Sequence, residues 1–454
     1  MSFKKNFAWG VATAAYQIEG GWNEGGRGES IWDVFCHEPG KIREGATGDV
    51  ACDHYHLFRE DVHLMKELGI KAYRFSLSWS RIFPKGVGEV NPDGVRFYNE
   101  LIDALLENGI EPYITLYHWD LPQALYLRGG WMNEESVQWF AQYAAKVAEL
   151  FSDRVKFFIT FNEPQCFIGS SCYVGGQAPG LKMGLRAVFQ MAHNVLKAHG
   201  AAVQAMRAAA VRPIQLGIAP TCSAHYPQTE TPADIEAARQ MLFACPPLTA
   251  PNVLWSVSWW SDPVFFGRYP EDGLRMYKDY LPEITQEDMA LISQPIDFYG
   301  QNIYNGKIVR ANEQGEPEFV DRKPGYAVTS LGWPVTPEAL RWGPRFLYER
   351  YGKPIFITEN GISKRKWGNL EEERRDDYRI RYMREHLREV SRAIQAGANI
   401  QGYYHWTLMD TTEGYAGGYK FIFGLVQVDF ETKERYRRDS WYYYQKVIAE
   451  GMVD

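Results

Sequence analysis

Val155-Lys156-Phe157-Phe158-Ile159-Thr160-Phe161-Asn162-Glu163-Pro164 is a short apolar run that stops in an amide, a carboxylate and a proline. Its aromatic and β-branched content reads as a strand buried on both faces, ending where Pro164 cannot donate to a ladder. Seven further runs share this character, at 7–14, 72–79, 112–118, 214–220, 297–304, 354–359 and 400–408. Amphipathic stretches near 54–68, 94–108, 134–151, 183–210, 233–244, 336–351, 375–396 and 438–449 alternate with them. In 375–396, Ile380, Met383, Leu387, Val390 and Ile394 recur at spacings of three and four, which gives one buried stripe. Strands separated by helices predict parallel pairing, because a parallel partner needs a long crossover. Eight such units predict an α/β chain forming a single (β/α)8 TIM barrel over residues 1–454, not an open doubly wound sheet. No linker, low-complexity segment or internal repeat divides it. The segments 20–53, 221–232, 245–296 and 305–335 are then long mouth loops or connections.

Composition narrows the class. With 45% hydrophobic and 23% charged residues, the 454-residue chain has the makings of a large core, which excludes intrinsic disorder. The net charge of −7, with both signs interspersed, provides no basic face and argues against a nucleic-acid partner. No stretch approaches about 20 consecutive apolar residues, so no membrane partner is expected. The opening residues lack the apolar core of a signal peptide, and six cysteines without such a leader read as reduced thiols, predicting a cytoplasmic location. Aromatic residues reach 15%, including 15 Trp and 28 Tyr. Core packing accounts for much of this. Ring faces that stack on sugar C–H groups are the second, lesser reading.

In a TIM barrel the chemistry sits where strands end. Two strand candidates end alike: the run to Glu163, and Pro354-Ile355-Phe356-Ile357-Thr358-Glu359-Asn360-Gly361. One such glutamate reads as an exposed or capping side chain. Two, on the fourth and seventh candidates, can oppose each other across the mouth as the carboxylate pair of a retaining glycosidase, about 5–5.5 Å apart. Cleaving an acetal needs one carboxyl protonated and the other ionised at the same pH, so their surroundings must differ. Other strand ends carry Gln17 and Glu19, Arg74, His118-Trp119-Asp120, Asn302 and Tyr304, and Trp406, Asp410 and Glu413. Together they suit a ligand rich in hydroxyls. His54 and His56 lack a zinc motif, the glycines at 20–28 lack nucleotide-binding spacing, and Lys156 begins its strand, which weakens a Schiff-base aldolase reading. No metal and no cofactor is implied.

The chain resembles the retaining β-glycosidases of glycoside hydrolase family one along essentially its whole length. The resemblance is carried by Phe7-Ala8-Trp9-Gly10 through Glu19-Gly20, Tyr73-Arg74-Phe75-Ser76, Trp79, Arg81, and His118-Trp119-Asp120-Leu121-Pro122. It continues through Thr160-Phe161-Asn162-Glu163-Pro164, Ile357-Thr358-Glu359-Asn360-Gly361 and Trp406-Thr407-Leu408-Met409-Asp410. It implies a β-glucosidase acting on a small-molecule glycoside. Glu163 would be the acid/base and Glu359 the nucleophile. Asn162 would bind the sugar 2-hydroxyl, while Arg74, Asn302 and Tyr304 support the nucleophile. Gln17, His118 and Glu413 would bind outer hydroxyls, with Trp406 as the platform. Trp333 and, more weakly, Cys166 would line the aglycone side.

One region departs from the family pattern. Where the family usually reads Asp-Asn-Phe-Glu-Trp, this chain has Asp410-Thr411-Thr412-Glu413-Gly414, followed by a loop that reads one residue longer. Tyr415 or Tyr419 could refill the space left at Gly414. Lys420 in that loop raises a 6-phospho-β-glycosidase as an alternative, since an ammonium suits a dianion. Against it stand Glu413, Pro164 and the Trp-Asp-Leu-Pro that follows His118. A non-catalytic carbohydrate-binding barrel is the alternative from another class.

Overall fold

The computed structural model describes residues 2–366, 368–369, 371–413 and 418–454. Eight parallel strands close into a (β/α)8 barrel: β1 (Ala8–Ala12), β2 (Ala72–Ser76), β3 (Glu111–Tyr117), β4 (Phe157–Asn162), β5 (Gln215–Ala219), β6 (Phe298–Ala311), β7 (Ile355–Asn360) and β8 (Ile400–Trp406). Closure is visible in the register. β8 returns to β1 from Ala8↔Gly402 to Ala12↔Trp406, and β5 meets β6 at Gly217↔Phe298 and Ile218↔Tyr299. Around the barrel lie α1 (His54–Leu68), α2 (Pro92–Glu107), α3 (Ser136–Phe151), α4 (Leu185–Ala209), α5 (Pro232–Phe243), α6 (Ala339–Tyr351), α7 (Asp377–Gln395) and α8 (Asp439–Glu450). In α7, Met383, Leu387 and Val390 are fully buried, as the stripe predicts. No helix among the described residues is long and apolar enough to cross a membrane.

The barrel interior is an aromatic plug. Tyr113, Phe157, Phe298, Phe356, Tyr404 and Trp406 pack there with small residues such as Ala12 and Ala219. Tyr113 stacks on Phe157 with ring centroids 4.2 Å apart. Large rings need small neighbours: a Cβ on Gly10 would meet the Tyr404 ring at 2.6 Å. Offsetting large and small side chains across facing strands lets the interior fill at close-packed density.

Several predicted loops are structured. Thr221–Pro227 is a strand that continues past Pro220 and pairs in parallel with Asn302–Val309 of β6. Its alternation of buried Cys222, Ala224 and Tyr226 with partly exposed Ser223 and His225 is the signature of a half-covered strand. Gly306 permits that pairing, because a Cβ there would meet the Ala224 carbonyl oxygen at 1.8 Å. β6 itself runs on to Ala311 and turns back to pair antiparallel with Pro317–Val320. Within 245–296 lie the helices Ser258–Phe266, Glu271–Tyr277 and Gln286–Ile292, and within 20–53 the helix Ile31–His37. Ser30 and Asp33 cap that last helix reciprocally.

Asp410, predicted among the site groups, is structural. Its two oxygens accept from Arg438 at 2.8 and 2.7 Å, and the same guanidinium donates to the Gly424 carbonyl at 2.6 Å. Both partners are buried. This clamp ties the chain after β8 to the start of α8. Arg438→Met leaves a buried carboxylate unpaired and is expected to lower the unfolding free energy by about 3–5 kcal/mol. Urea denaturation checks this; an unchanged midpoint would show that the clamp carries no stability.

Candidate active site

β2, β4, β6 and β7 each deliver one or two polar side chains to the same end of the barrel. Arg74 comes from β2, Asn162 and Glu163 from the end of β4, Asn302 and Tyr304 from β6, and Glu359 from β7. The chain leaves β4 sharply. Glu163 has φ +47°, and its N–H donates to the Ala219 carbonyl at 2.8 Å. A left-handed backbone costs a non-glycine residue about 1–3 kcal/mol, and it turns the carboxyl away from the line of the strand. Pro164 then begins the next turn.

A continuous hydrogen-bond chain joins the two glutamates. Arg74 donates from one nitrogen to Glu359 Oε1 at 2.5 Å and from another to Asn162 Oδ1 at 2.6 Å. Asn302 Nδ2 donates to Asn162 Oδ1 at 2.9 Å and to Glu163 Oε1 at 2.8 Å. Tyr304 donates to Glu359 Oε2 at 2.7 Å, and the Cys166 thiol to Glu163 Oε2 at 3.1 Å. Thr358 donates to Asn302 Oδ1 at 2.7 Å and fixes that amide's orientation. Because Asn162 Oδ1 already accepts twice, its Nδ2 is the donor towards His118 Nε2, 3.0 Å away. The imidazole therefore accepts there. Burial, followed by the nearby Arg74 charge, holds His118 well below the usual imidazole range, so it is neutral.

The two carboxyls have unlike surroundings. Burial, with the Glu359 charge second, raises Glu163 to about 7. Burial raises Glu359 as well, but the Arg74 guanidinium and then the Tyr304 hydroxyl pull it back. No cation among the described residues pairs with Glu163, so the proton the pair retains near neutrality belongs there. Glu413 is lifted to about 8 by burial, with Thr411 donating to its Oε1 at 3.0 Å and Gln17 at 3.2 Å.

These groups open into a cleft of about 1370 Å³, the open solvent at its mouth included. Of the residues singled out in the sequence, Gln17, His118, Trp119, Glu163, Cys166, Tyr304, Trp333, Glu359, Trp406 and Glu413 line it. Arg74, Asn162 and Asn302 lie beneath that lining, joined to it by the bonds described. The Trp406 ring lies nearly parallel to His118, centroids 5.8 Å apart, and Trp333 packs against Tyr304 at 5.3 Å. Glu19 belongs elsewhere, accepting from Arg81 at 3.0 Å and Tyr98 at 2.7 Å. Asp120 is buried away from the cleft.

The departing loop gives a partial answer. Gly414 and Tyr415 lie outside the described residues. Tyr419 does not refill the space, since it donates to the Thr47 carbonyl at 2.6 Å and packs on Phe430. Lys420 pairs with Glu44, and no Lys or Arg is among the cleft's described lining. Trp32, Gln177, Trp255 and Phe423 also line the cleft and escaped the sequence reading. Gln177, Trp255 and Phe423 come from irregular segments, and Trp32 from the short helix Ile31–His37 inside a predicted loop, where no periodicity marks which side chains face inward.

Over residues 1–452 the sequence matches Glycosyl hydrolase family 1. The chain belongs to that family. Beta-glucosidase A of Acetivibrio thermocellus is 44% identical over 457 residues, covering 99% of each chain. Beta-glucosidase A of Thermotoga maritima is 42% identical, covering 100% of this chain and 99% of its own. A solved structure of a Thermotoga maritima beta-glucosidase in complex with castanospermine superposes with TM-score 0.89 at 40% identity, over 100% of this chain and 99% of that one. The family match spans nearly the whole chain, and with it every strand that supplies the carboxyl pair.

If Glu359 raises Glu163 by like-charge repulsion, Glu359→Gln removes that contribution. The Glu163 carboxyl should then titrate below 7, visible by carbon-13 NMR of labelled glutamate. A titration unmoved from the parent protein's would break the pairing.

Proposed function

We propose that the chain works as one catalytic domain, a retaining β-glucosidase that releases terminal β-linked glucose from small-molecule glycosides. The observation that carries this reading is the pair of buried glutamates on one hydrogen-bond chain, one beside a guanidinium and the other without a cation. Glu359 attacks the anomeric carbon as the bond to the aglycone oxygen breaks, and Glu163 gives that oxygen its proton. In the second step Glu163 takes a proton from water, the water oxygen joins the anomeric carbon, and Glu359 departs. Two inversions give net retention.

The remaining side chains hold the sugar. Asn162 has one amide hydrogen left after bonding His118, and directs it to the 2-hydroxyl, a contact that strengthens as charge develops. Gln17, His118 and Glu413 take the outer hydroxyls, and Trp406 lies under the ring face. Trp333 and Cys166 border the aglycone. The phosphorylated-sugar alternative loses its cation, because Lys420 is engaged by Glu44. A binding-only barrel would have no use for a proton held on Glu163 beside an ionised Glu359.

Glu163→Ala should reduce kcat/KM for phenyl β-D-glucoside by about 10²–10⁴-fold and spare 2,4-dinitrophenyl β-D-glucoside, whose leaving group needs little protonation. Equal losses on both would remove Glu163 from the acid role. The pH profile follows from the same assignment. Glu163 must be protonated, so kcat/KM should fall as pH rises through about 7. On the acid side it should fall as Glu359 gains a proton, above the usual carboxylate range because burial raises it. A rate that climbs through pH 7 in stopped assays would contradict the assignment.

A further inference from the structure

A second cavity, of about 780 Å³ with the open solvent at its mouth included, abuts the cleft. Thr221, Cys222, Ser223 and Trp255 line both, so the two share a wall. The cavity exists because Thr221–Pro227 and β6 extend beyond the barrel together, and the chain at and after the end of α5 folds against that extension. Its lining is mainly apolar, with Met241, Leu242, Cys245, Pro246 and Val257 among its residues. In that wall Trp255 is 37% exposed, and its indole N–H reaches Ser223 Oγ at 3.3 Å.

Two features give the cavity chemical character. Lys307 and Phe319 line it but not the cleft, and both are exposed. The Lys307 ammonium sits 4.9 Å from the Phe319 ring centroid and makes no ion pair among the described residues. His225, the register partner of Lys307, has a buried Nδ1 without a hydrogen-bond partner among the described residues. The cavity is thus an apolar, ring-lined space with a free cation at a solvent-facing edge and one buried polar atom in its wall. Apolar pockets with a few placed polar groups are the usual form of small-molecule sites.

We propose that this cavity extends the aglycone site, taking a flat apolar aglycone whose distal carboxylate pairs with Lys307. The inference rests on the β-glucosidase reading and adds to it a substrate class, glucosides of extended aromatic acids. Such an aglycone keeps its charged end in water at Lys307 while its rings leave water beside Trp255 and Phe319.

The test compares kcat/KM for the β-D-glucosides of phenol, 4-hydroxybiphenyl and 4′-hydroxybiphenyl-4-carboxylic acid, in the parent enzyme and two variants. Reading each variant as a change in the substrate ratio cancels leaving-group differences. Lys307→Gln should cut the carboxylated-to-plain biphenyl ratio by about twofold to fivefold at low salt, the range of an exposed ion pair. Ala250→Phe narrows the cavity and should cut the biphenyl-to-phenyl ratio by about tenfold or more. Ratios unmoved in Lys307→Gln overturn the carboxylate contact, and a biphenyl advantage that survives Ala250→Phe overturns the cavity itself. Failure to hydrolyse any of the three substrates would instead overturn the parent reading.

Discussion

The fork of Arg74 is the constraint on which the site depends. A guanidinium that is 1% exposed must spend its donors inside the barrel, and it does so on Glu359, Asn162, Thr115 and the Thr358 carbonyl. A buried cation without carboxylate partners is costly, and a buried carboxylate without a cation gains a proton. Arg74 therefore decides which glutamate stays charged. Glu359 receives the compensation, and Glu163, reached only through the amides of Asn162 and Asn302, goes without. Fixed planar geometry makes arginine suited to this task, since one fork sets two acceptors at once.

The barrel supplies the register that makes such a fork possible. Ala12 of β1 pairs with Arg74 on one side and Trp406 on the other, while Asn302 pairs with Glu359. Ala12, with its small side chain, lies between the strand positions of Arg74 and Trp406. Below them the aromatic plug closes the barrel, which keeps water from the buried side of the carboxyls. The strained turn at Glu163 and the bonds of Asn302 then set the second carboxyl against the first. Stability and chemistry meet at β8, where the chain after Trp406 is held by the Asp410–Arg438 clamp.

Much of this was legible in the sequence because buried parallel strands are written as continuous apolar runs. The closed barrel, the two strand-end glutamates and eight of the cleft's lining side chains follow from that signal and from the family resemblance. What escaped did so for identifiable reasons. Thr221–Pro227 alternates polar and apolar residues after a proline, which resembles a loop until its pairing with β6 is seen. Asp410 sits at a strand end like Glu359, and only the position of Arg438, 28 residues away, distinguishes clamp from site. Trp255 and Gln177 reach the cleft from irregular chain, where inward orientation leaves no period to read.

The central claim is double displacement between Glu359 and Glu163. A proton NMR time course with an aryl β-D-glucoside tests it most directly, by showing which anomer of free glucose appears first. The account requires the β-anomer, with the α-anomer growing in only by later mutarotation. Initial release of the α-anomer would contradict it, since a single displacement by water would then leave Glu359 with no covalent role.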